Sequence, residues 1–271
     1  MLNIDSTWQT GWNTFVYNPA AFPNPAQMYS HFHSLGLKVT NWITGMINID
    51  SPNYQYAFDN GFFLNGGQTI DWWKGTGSFV DYTNPHAMEY WHGLMKNVLE
   101  MGCDGWKVDG TDPHFLLLGP NVQGYAGKVT SRQYSNDFYG DFFNYTKEVK
   151  GTVLMMARPV DFYRSFAPKY SIFSGWVGDE DDDFGGLRTA LTYMLHSGQR
   201  GYVGFGSDIG GYRCCQNGVG REKEPFVRWA QLGAFNSLME NGGGGEHRPW
   251  MFDKQTADIY RKFVDIHYEL V

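Results

Sequence analysis

Short apolar runs alternate with polar or glycine-rich loops and amphipathic stretches along the whole chain. Leu37-Lys38-Val39-Thr40-Asn41-Trp42-Ile43 reads as a strand. Pro25 to Leu35 before it reads as a helix, with Met28, Phe32 and Leu35 on one face and Gly36 as its stop. The clearest helix runs from Pro85 to Met101. Met88, Trp91, His92, Met95, Val98 and Leu99 recur there at helical spacing, Asn84-Pro85 supplies a cap and first-turn pair, and Gly102 ends it. Gly105 to Asp109 then predicts a strand. A polar helix over about Ser131 to Val149 leads into a strand from Thr152 to Ala157. Ile172 to Trp176 and Gly201 to Phe205 read as further strands; Leu187 to Leu195, Phe226 to Met239 and Ala257 to Leu270 read as helices. This alternation predicts a parallel sheet with helices outside, a class in which chemistry gathers at the carboxyl ends of strands. No Pro- or Ser-rich linker divides the chain, so a single domain over 1–271 is expected.

Polar residues collect just after these strands. Asp5 follows Leu2-Asn3-Ile4, Trp42 lies near the end of its strand, and Lys107 and Asp109 share a face. Arg158 follows Ala157, Asp179 ends Trp176-Val177-Gly178-Asp179, Asp208 lies in Ser207-Asp208-Ile209-Gly210-Gly211, and Asn241 opens the glycine run 242–245. In a closed parallel barrel these positions converge on one mouth. Two carboxyl groups in such a mouth suffice for glycoside hydrolysis, one ionised to attack the anomeric carbon and one protonated for the leaving oxygen. The cation Lys107 favours an ionised Asp109, which suits a nucleophile. Asp179 stands beside Glu180, Asp181, Asp182 and Asp183, and neighbouring like charges favour a proton-bearing carboxyl, which suits an acid. Structural readings stand beside each of these. A carboxylate after a strand is often a helix cap, Lys107 with Asp109 makes an ordinary ion pair, and Trp42, Trp73 and Trp176 make ordinary core residues. The glycine run reads as a flexible loop and the remaining acids as a solvated face.

Composition narrows the function. With 21 Lys+Arg against 28 Asp+Glu, the net charge of −7 argues against general nucleic-acid binding. Aromatic residues at 17% and charged residues at 18% exclude disorder. Tryptophan, tyrosine and glycine in this abundance suit a cleft lined with flat rings on tight loops, as in carbohydrate handling. No apolar run reaches membrane-spanning length, and Met1 to Asp5 lacks the basic and apolar blocks of a signal peptide. Cys103, Cys214 and Cys215 build no disulfide framework. Nothing has zinc-ligand spacing, so neither metal nor cofactor is expected. The expected partner is a carbohydrate substrate, with oligomeric state open. Asn144-Tyr145-Thr146 is a glycosylation triplet that leans localisation toward a secretory or extracellular setting.

The conjunction is more specific than its parts. Trp73, Val80-Asp81-Tyr82-Thr83-Asn84-Pro85 and Met101-Gly102-Cys103-Asp104-Gly105-Trp106-Lys107-Val108-Asp109 resemble the nucleophile region of glycoside hydrolase family 31, the retaining α-glycosidases. Trp176-Val177-Gly178-Asp179 resembles the family's acid/base motif, and Ser207 to Gly211 and Arg228-Trp229 resemble two further signatures. The resemblance implies a (β/α)8 barrel with Asp109 as nucleophile and Asp179 as general acid/base. It implies that Asp5, Trp42, Trp73, Lys107, Arg158, Trp176, Asp208 and Asn241 line the sugar subsite. Asn241 stands where the family commonly has His. Arg164 is a fallback for Arg158, and Asp112 occupies the region of a further family acid. The Lys-x-Asp form resembles members acting on α-xylosides and α-galactosides. The barrel's first strand and the family's flanking β domains have no counterpart, which implies a piece of a longer chain. The alternative function is a non-catalytic carbohydrate-binding or structural subunit on the same barrel.

Overall fold

A computed structural model describes residues 1–110, 112–158, 167–214 and 222–270, with 112 and 113 described by backbone alone. Arg164 and Cys215, and the side chain of Asp112, lie outside the described residues. The described chain forms two units, one of residues 1–157 with 167–171 and the other of Arg158 with 172–270.

The first unit runs β1 (Leu2–Ile4), α1 (Pro25–Ser34), β2 (Val39–Ile43), β3 (Met46–Asn48), α2 (Tyr54–Asp59), β4 (Thr69–Trp72), β5 (Gly75–Phe79), α3 (Pro85–Met101), β6 (Gly105–Val108), β7 (Gln123–Gly124), β8 (Gly127–Lys128), α4 (Ser131–Lys150) and β9 (Leu154–Ala157). Strands β1, β2, β6 and β9 pair in that order, all parallel. Every residue of β2 and β6 is buried, as a sheet covered on both faces requires. A Cβ at Gly105 would lie 1.7 Å from the Leu154 carbonyl oxygen, so β6 and β9 close only around glycine. Asn84 caps α3 by accepting the His86 and Ala87 N–H groups. The helix buries Trp91, Met95, Val98 and Leu99. Trp91 and Trp106 both meet Phe15 and Phe142 edge-on, and the Trp106 indole donates to the Thr146 hydroxyl at 2.8 Å. Thr146 of the glycosylation triplet is therefore a buried member of α4. In α1 the buried anchor is Tyr29, while Leu35, expected on the apolar face, is exposed. The Tyr29 hydroxyl bonds Tyr17 and Asn41, which centres the helix one residue away from the apolar stripe. Between β2 and α3 lies an antiparallel sheet, β3-β5-β4, that the apolar pattern does not announce.

The second unit runs β10 (Ser174–Trp176), α5 (Phe184–Gln199), β11 (Phe205–Gly206), α6 (Lys223–Gly233), α7 (Pro249–Phe252) and α8 (Lys254–Leu270), with β10 and β11 parallel. Val177, Ala190, Phe205, Ile209, Phe226 and Trp229 form its core. The expected strand from Gly201 shrinks to two residues: Tyr202 and Phe205 reach the core, but Val203 between them is 84% exposed. Helix α5 begins at Phe184, capped by Asp183, whose carboxylate accepts the Gly186 N–H at 2.8 Å. Helix α6 stops at Gly233 rather than continuing to Met239. Among the described residues no helix is long and apolar enough to cross a membrane.

Candidate active site

In the first unit the site grows from the carboxyl end of β6. The Asp109 N–H donates to the Ile43 carbonyl at 2.9 Å, extending the β2–β6 ladder one residue beyond Val108. The Asp109 side chain leaves at that edge and accepts the Trp42 indole N–H at 3.1 Å. Trp42 is itself fixed, since its carbonyl accepts the Trp8 indole N–H at 2.8 Å. Lys107, buried and two residues before Asp109, donates to Asp5 at 2.9 Å. Asp5 in turn accepts the Ser6 N–H and the Asn3 amide. Asp5, Trp42, Lys107 and Asp109 therefore share one strand-end neighbourhood.

Two further residues join them that the sequence did not single out. The Lys74 ammonium lies 5.0 Å from the Trp12 ring centroid and 5.7 Å from that of Trp42, and bonds the Ser6 hydroxyl at 3.2 Å. Such a cation over indole faces contributes about 0.5–2 kcal/mol. Trp12 meets Trp42 edge-on, Trp72 meets Trp12, and Trp73 meets Trp72, forming a run of indoles. Trp73, at 43% exposure, packs against Trp72 and His114 and keeps part of its ring open; Trp42, at 2%, does not, and acts through its N–H. Neither Trp12 nor Lys74 follows an apolar run of the parallel sheet, and the β4–β5 turn that brings Lys74 in was not predicted.

In the second unit Asp179 follows β10 by three residues. The Arg158 guanidinium bonds its carboxylate at 3.2 Å and lies 5.7 Å from the Trp176 ring centroid. Trp176, at 2% exposure, serves as a floor under Arg158 rather than as an open face. Asp208 is 1% exposed and forms a parallel bridge with Glu240. A Cβ at Gly242 would sit 1.8 Å from an Asp208 carboxylate oxygen, and one at Gly243 would sit 2.4 Å from the Tyr212 carbonyl. The start of the glycine run is therefore a close-packed seat for Asp208, not slack. Asn241 turns its amide to the Tyr260 hydroxyl at 2.8 Å. The Trp229 indole donates to the Ser207 hydroxyl at 2.8 Å, so two of the quoted signatures brace each other.

The acidic run after Asp179 divides. Asp181 is exposed and Asp183 caps α5, but Glu180 is 4% exposed. Burial, then the nearby Asp208, push its carboxyl up to about 7. No group of three or more His, Cys, Asp or Glu side chains that would hold a metal occurs among the described residues.

Comparison with known proteins fits these parts. The glycosyl hydrolases family 31 TIM-barrel domain matches residues 1–271. The chain is 25% identical to the α-xylosidase XylQ of Lactiplantibacillus pentosus over 98% of its length and 35% of that protein's. It is 25% identical to the neutral α-glucosidase AB of Sus scrofa over 99% of its length and 30% of that protein's. In fold it resembles a GH31 dextranase of Flavobacterium johnsoniae (TM-score 0.85, 20% identity), covering 98% of this chain and 35% of that one. It also resembles a xylosidase from Aspergillus niger (TM-score 0.82, 19% identity), covering 99% of this chain and 44% of that one. The chain thus spans about a third of the length of the curated relatives it matches. A family match over residues 1–271, on parallel strands whose carboxyl ends carry Asp109 and Asp179, places this chain in glycoside hydrolase family 31 as a TIM-barrel domain.

Proposed function

We propose that this domain is the catalytic barrel of a retaining α-glycosidase that removes terminal α-linked sugars through a covalent glycosyl-enzyme. The observation that carries the reading is Asp109 itself, a carboxylate at a parallel strand end with an indole N–H aimed at one oxygen. In the first step Asp109 attacks the anomeric carbon as the glycosidic bond breaks, and Asp179 gives its proton to the leaving oxygen. In the second step Asp179 takes a proton from water, which attacks the same carbon and releases Asp109. Two displacements retain the α configuration. Asp5, Lys107, Arg158, Asp208 and Asn241 are proposed to hold hydroxyls, and Trp73 to offer an apolar face. The Lys-x-Asp form and the α-xylosidase relative favour an α-xyloside among substrates. The α-galactoside suggested by the same form gains no support from the relatives quoted.

A panel of aryl α-glycosides on the full-length protein tests this. α-Xyloside, α-glucoside, α-galactoside and N-acetyl-α-galactosaminide are compared, with the anomer of the product followed by NMR. Turnover with an α product first formed supports the proposal, and an inverted β product overturns it. The non-catalytic alternative draws on Asn241, whose amide is engaged by Tyr260. Sugar binding without turnover of any arm of the panel would favour that alternative.

A further inference from the structure

We propose that Glu180 is a positioning residue for the proton of Asp179, a buried carboxyl whose own ionisation keeps its chain neighbour in the acid form as pH rises. The inference rests on the glycosidase reading above, because it gives a partner to the acid/base of that reaction.

Glu180 is 4% exposed, and neither carboxylate oxygen accepts a hydrogen bond from any other described residue. A buried polar group without a partner is costly, and such groups persist where they serve a function. The residue has little freedom to escape. Its backbone carbonyl accepts both the Tyr212 and the Arg213 N–H at 2.9 Å. Asp181 forms a parallel bridge with Arg213. A Cβ at Gly211 would lie 2.6 Å from the Asp181 carbonyl oxygen. The turn after β10 and the loop 208–213 are thus fastened backbone to backbone. The side chain folds back over Gly178, where a Cβ would meet Glu180 Oε1 at 3.3 Å.

The charges around it are mostly of its own sign. Asp208, itself 1% exposed, opens the fastened loop, and Asp179 is the adjacent residue. Burial, Asp208 and Asp179 all raise the Glu180 carboxyl, while its own backbone N–H and Arg158 lower it; the first group prevails and the value reaches about 7. Arg158 is shared with Asp179 at 3.2 Å. Arg213 faces Asp181 at 3.8 Å, where both side chains are exposed. Glu240 adds a further acid beside Asp208 through their bridge.

The consequence for Asp179 follows from its two tasks. It must be protonated when the substrate arrives and must then accept a proton from water. Below about 7 Glu180 is neutral and leaves Asp179 to its other neighbours. Above it, the new charge on Glu180 disfavours a second charge one residue away. The effect is reciprocal: the Asp179 charge that helps raise Glu180 is itself disfavoured by a charge on Glu180, so the second proton of the pair leaves at higher pH than it would from Asp179 beside a neutral residue. The two carboxyls titrate as a coupled pair, so the alkaline limb of kcat/KM belongs to both.

Glu180→Gln keeps the shape and removes the charge. Two measurements on the full-length protein test the proposal. The first is the pH profile of kcat/KM, each normalised to its own plateau. The alkaline limb of Glu180→Gln should move to lower pH by about one unit, a further tenfold loss above the limb. A merely structural role would lower the plateau and leave the limb in place. The second is the melting temperature across pH. A carboxyl raised from 4.5 in the unfolded chain to about 7 when folded costs stability as pH climbs between those values, and the cost persists above them. The wild type should lose melting temperature over that window relative to Glu180→Gln. Hydrolysis with an unmoved limb overturns the proposal and leaves the glycosidase reading standing. A melting difference that does not change with pH overturns it too. No hydrolysis by the wild type, with the melting difference intact, overturns the glycosidase reading and with it the link from Glu180 to catalysis.

Discussion

Asp109, in the first unit, lies at the end of a ladder whose residues are all buried, and an indole N–H meets its carboxylate from the side. Asp179, in the second, sits on a turn, 35% exposed, with Arg158 on one oxygen and the buried Glu180 next in the chain. The first setting fixes a carboxylate in place and supplies a donor to it. The second leaves room to move and gathers like charge. A nucleophile must be ionised and aimed, whereas an acid/base must change protonation twice in each cycle. The surroundings of the two groups differ in the direction that the two proposed tasks require.

The comparison is broken most directly by removing each carboxyl. Asp109→Asn removes the group proposed to form the covalent intermediate, so kcat/KM should fall by roughly 10⁴-fold or more. The fall should be alike for dinitrophenyl and methyl α-glycosides. A loss that depends on the leaving group would deny Asp109 its role. Asp179→Ala should cost less and cost it unevenly. Loss of general acid catalysis amounts to about 10²–10⁴-fold for a poor leaving group and much less for dinitrophenolate. A burst should appear with the activated substrate, because glycosylation outruns hydrolysis. Azide, which needs no base, should then speed turnover and yield a glycosyl azide. Equal losses at both positions, with no burst and no rescue, would erase the distinction drawn between the two settings.

Trp42→Phe sharpens the first half of the comparison. It keeps a ring to meet Trp12, now 5.8 Å away edge-on, and deletes the N–H that reaches Asp109. A hydrogen bond to a charged group contributes about 1.5–3 kcal/mol, or roughly 10–100-fold in kcat/KM. Trp176→Phe leaves Asp179 with its Arg158 bond and should change kcat/KM by only about twofold to fivefold, within the cation–π range. Were the two substitutions to cost the same, Trp42 would be packing alone.

Much of this was legible in the sequence, for identifiable reasons. Helix α3 reads correctly to the residue because a cap, a first-turn proline, a clean apolar period and a terminal glycine all agree. The position of Asp109 at a strand's carboxyl end was legible because a short apolar run leads straight into it, and the structure places it just after β6. The β3-β5-β4 sheet was missed because β5 is Gly-Thr-Gly-Ser-Phe, with one large apolar residue and no alternation to read. Lys74 went with it, since only that turn brings the ammonium over Trp12 and Trp42. Glu180 was lost in a run of acids that looks solvated. Its burial comes from the loop 208–213, about thirty residues on, and nothing within the run separates it from the exposed Asp181.

The smallest expected effect on activity comes from a second aspartate on the same strand, and it isolates what position does to a carboxylate. Asp104 precedes β6 as Asp109 follows it. It is 9% exposed and accepts the Val39 N–H at 2.9 Å, Lys38 at 3.0 Å and His33 at 2.8 Å. Burial raises its carboxyl, but the Val39, His33 and Lys38 hydrogen bonds outweigh that and bring it below the ordinary 3.8. A depressed carboxyl contributes stability that is present above its unfolded value and is lost as pH falls through the folded one. Asp104→Asn should therefore lower the melting temperature at neutral pH, and the difference from wild type should shrink below about pH 4. Losing charge-assisted bonds of about 1.5–3 kcal/mol amounts to several degrees in a domain of this size. Catalysis should hardly change, with kcat/KM within about twofold and the same leaving-group dependence, because in parallel barrels the entry ends of strands serve stability and the exit ends serve chemistry. A drop in kcat/KM comparable to that of Asp109→Asn, at a temperature where the variant is folded, would mean that the two ends of β6 are not divided in this way.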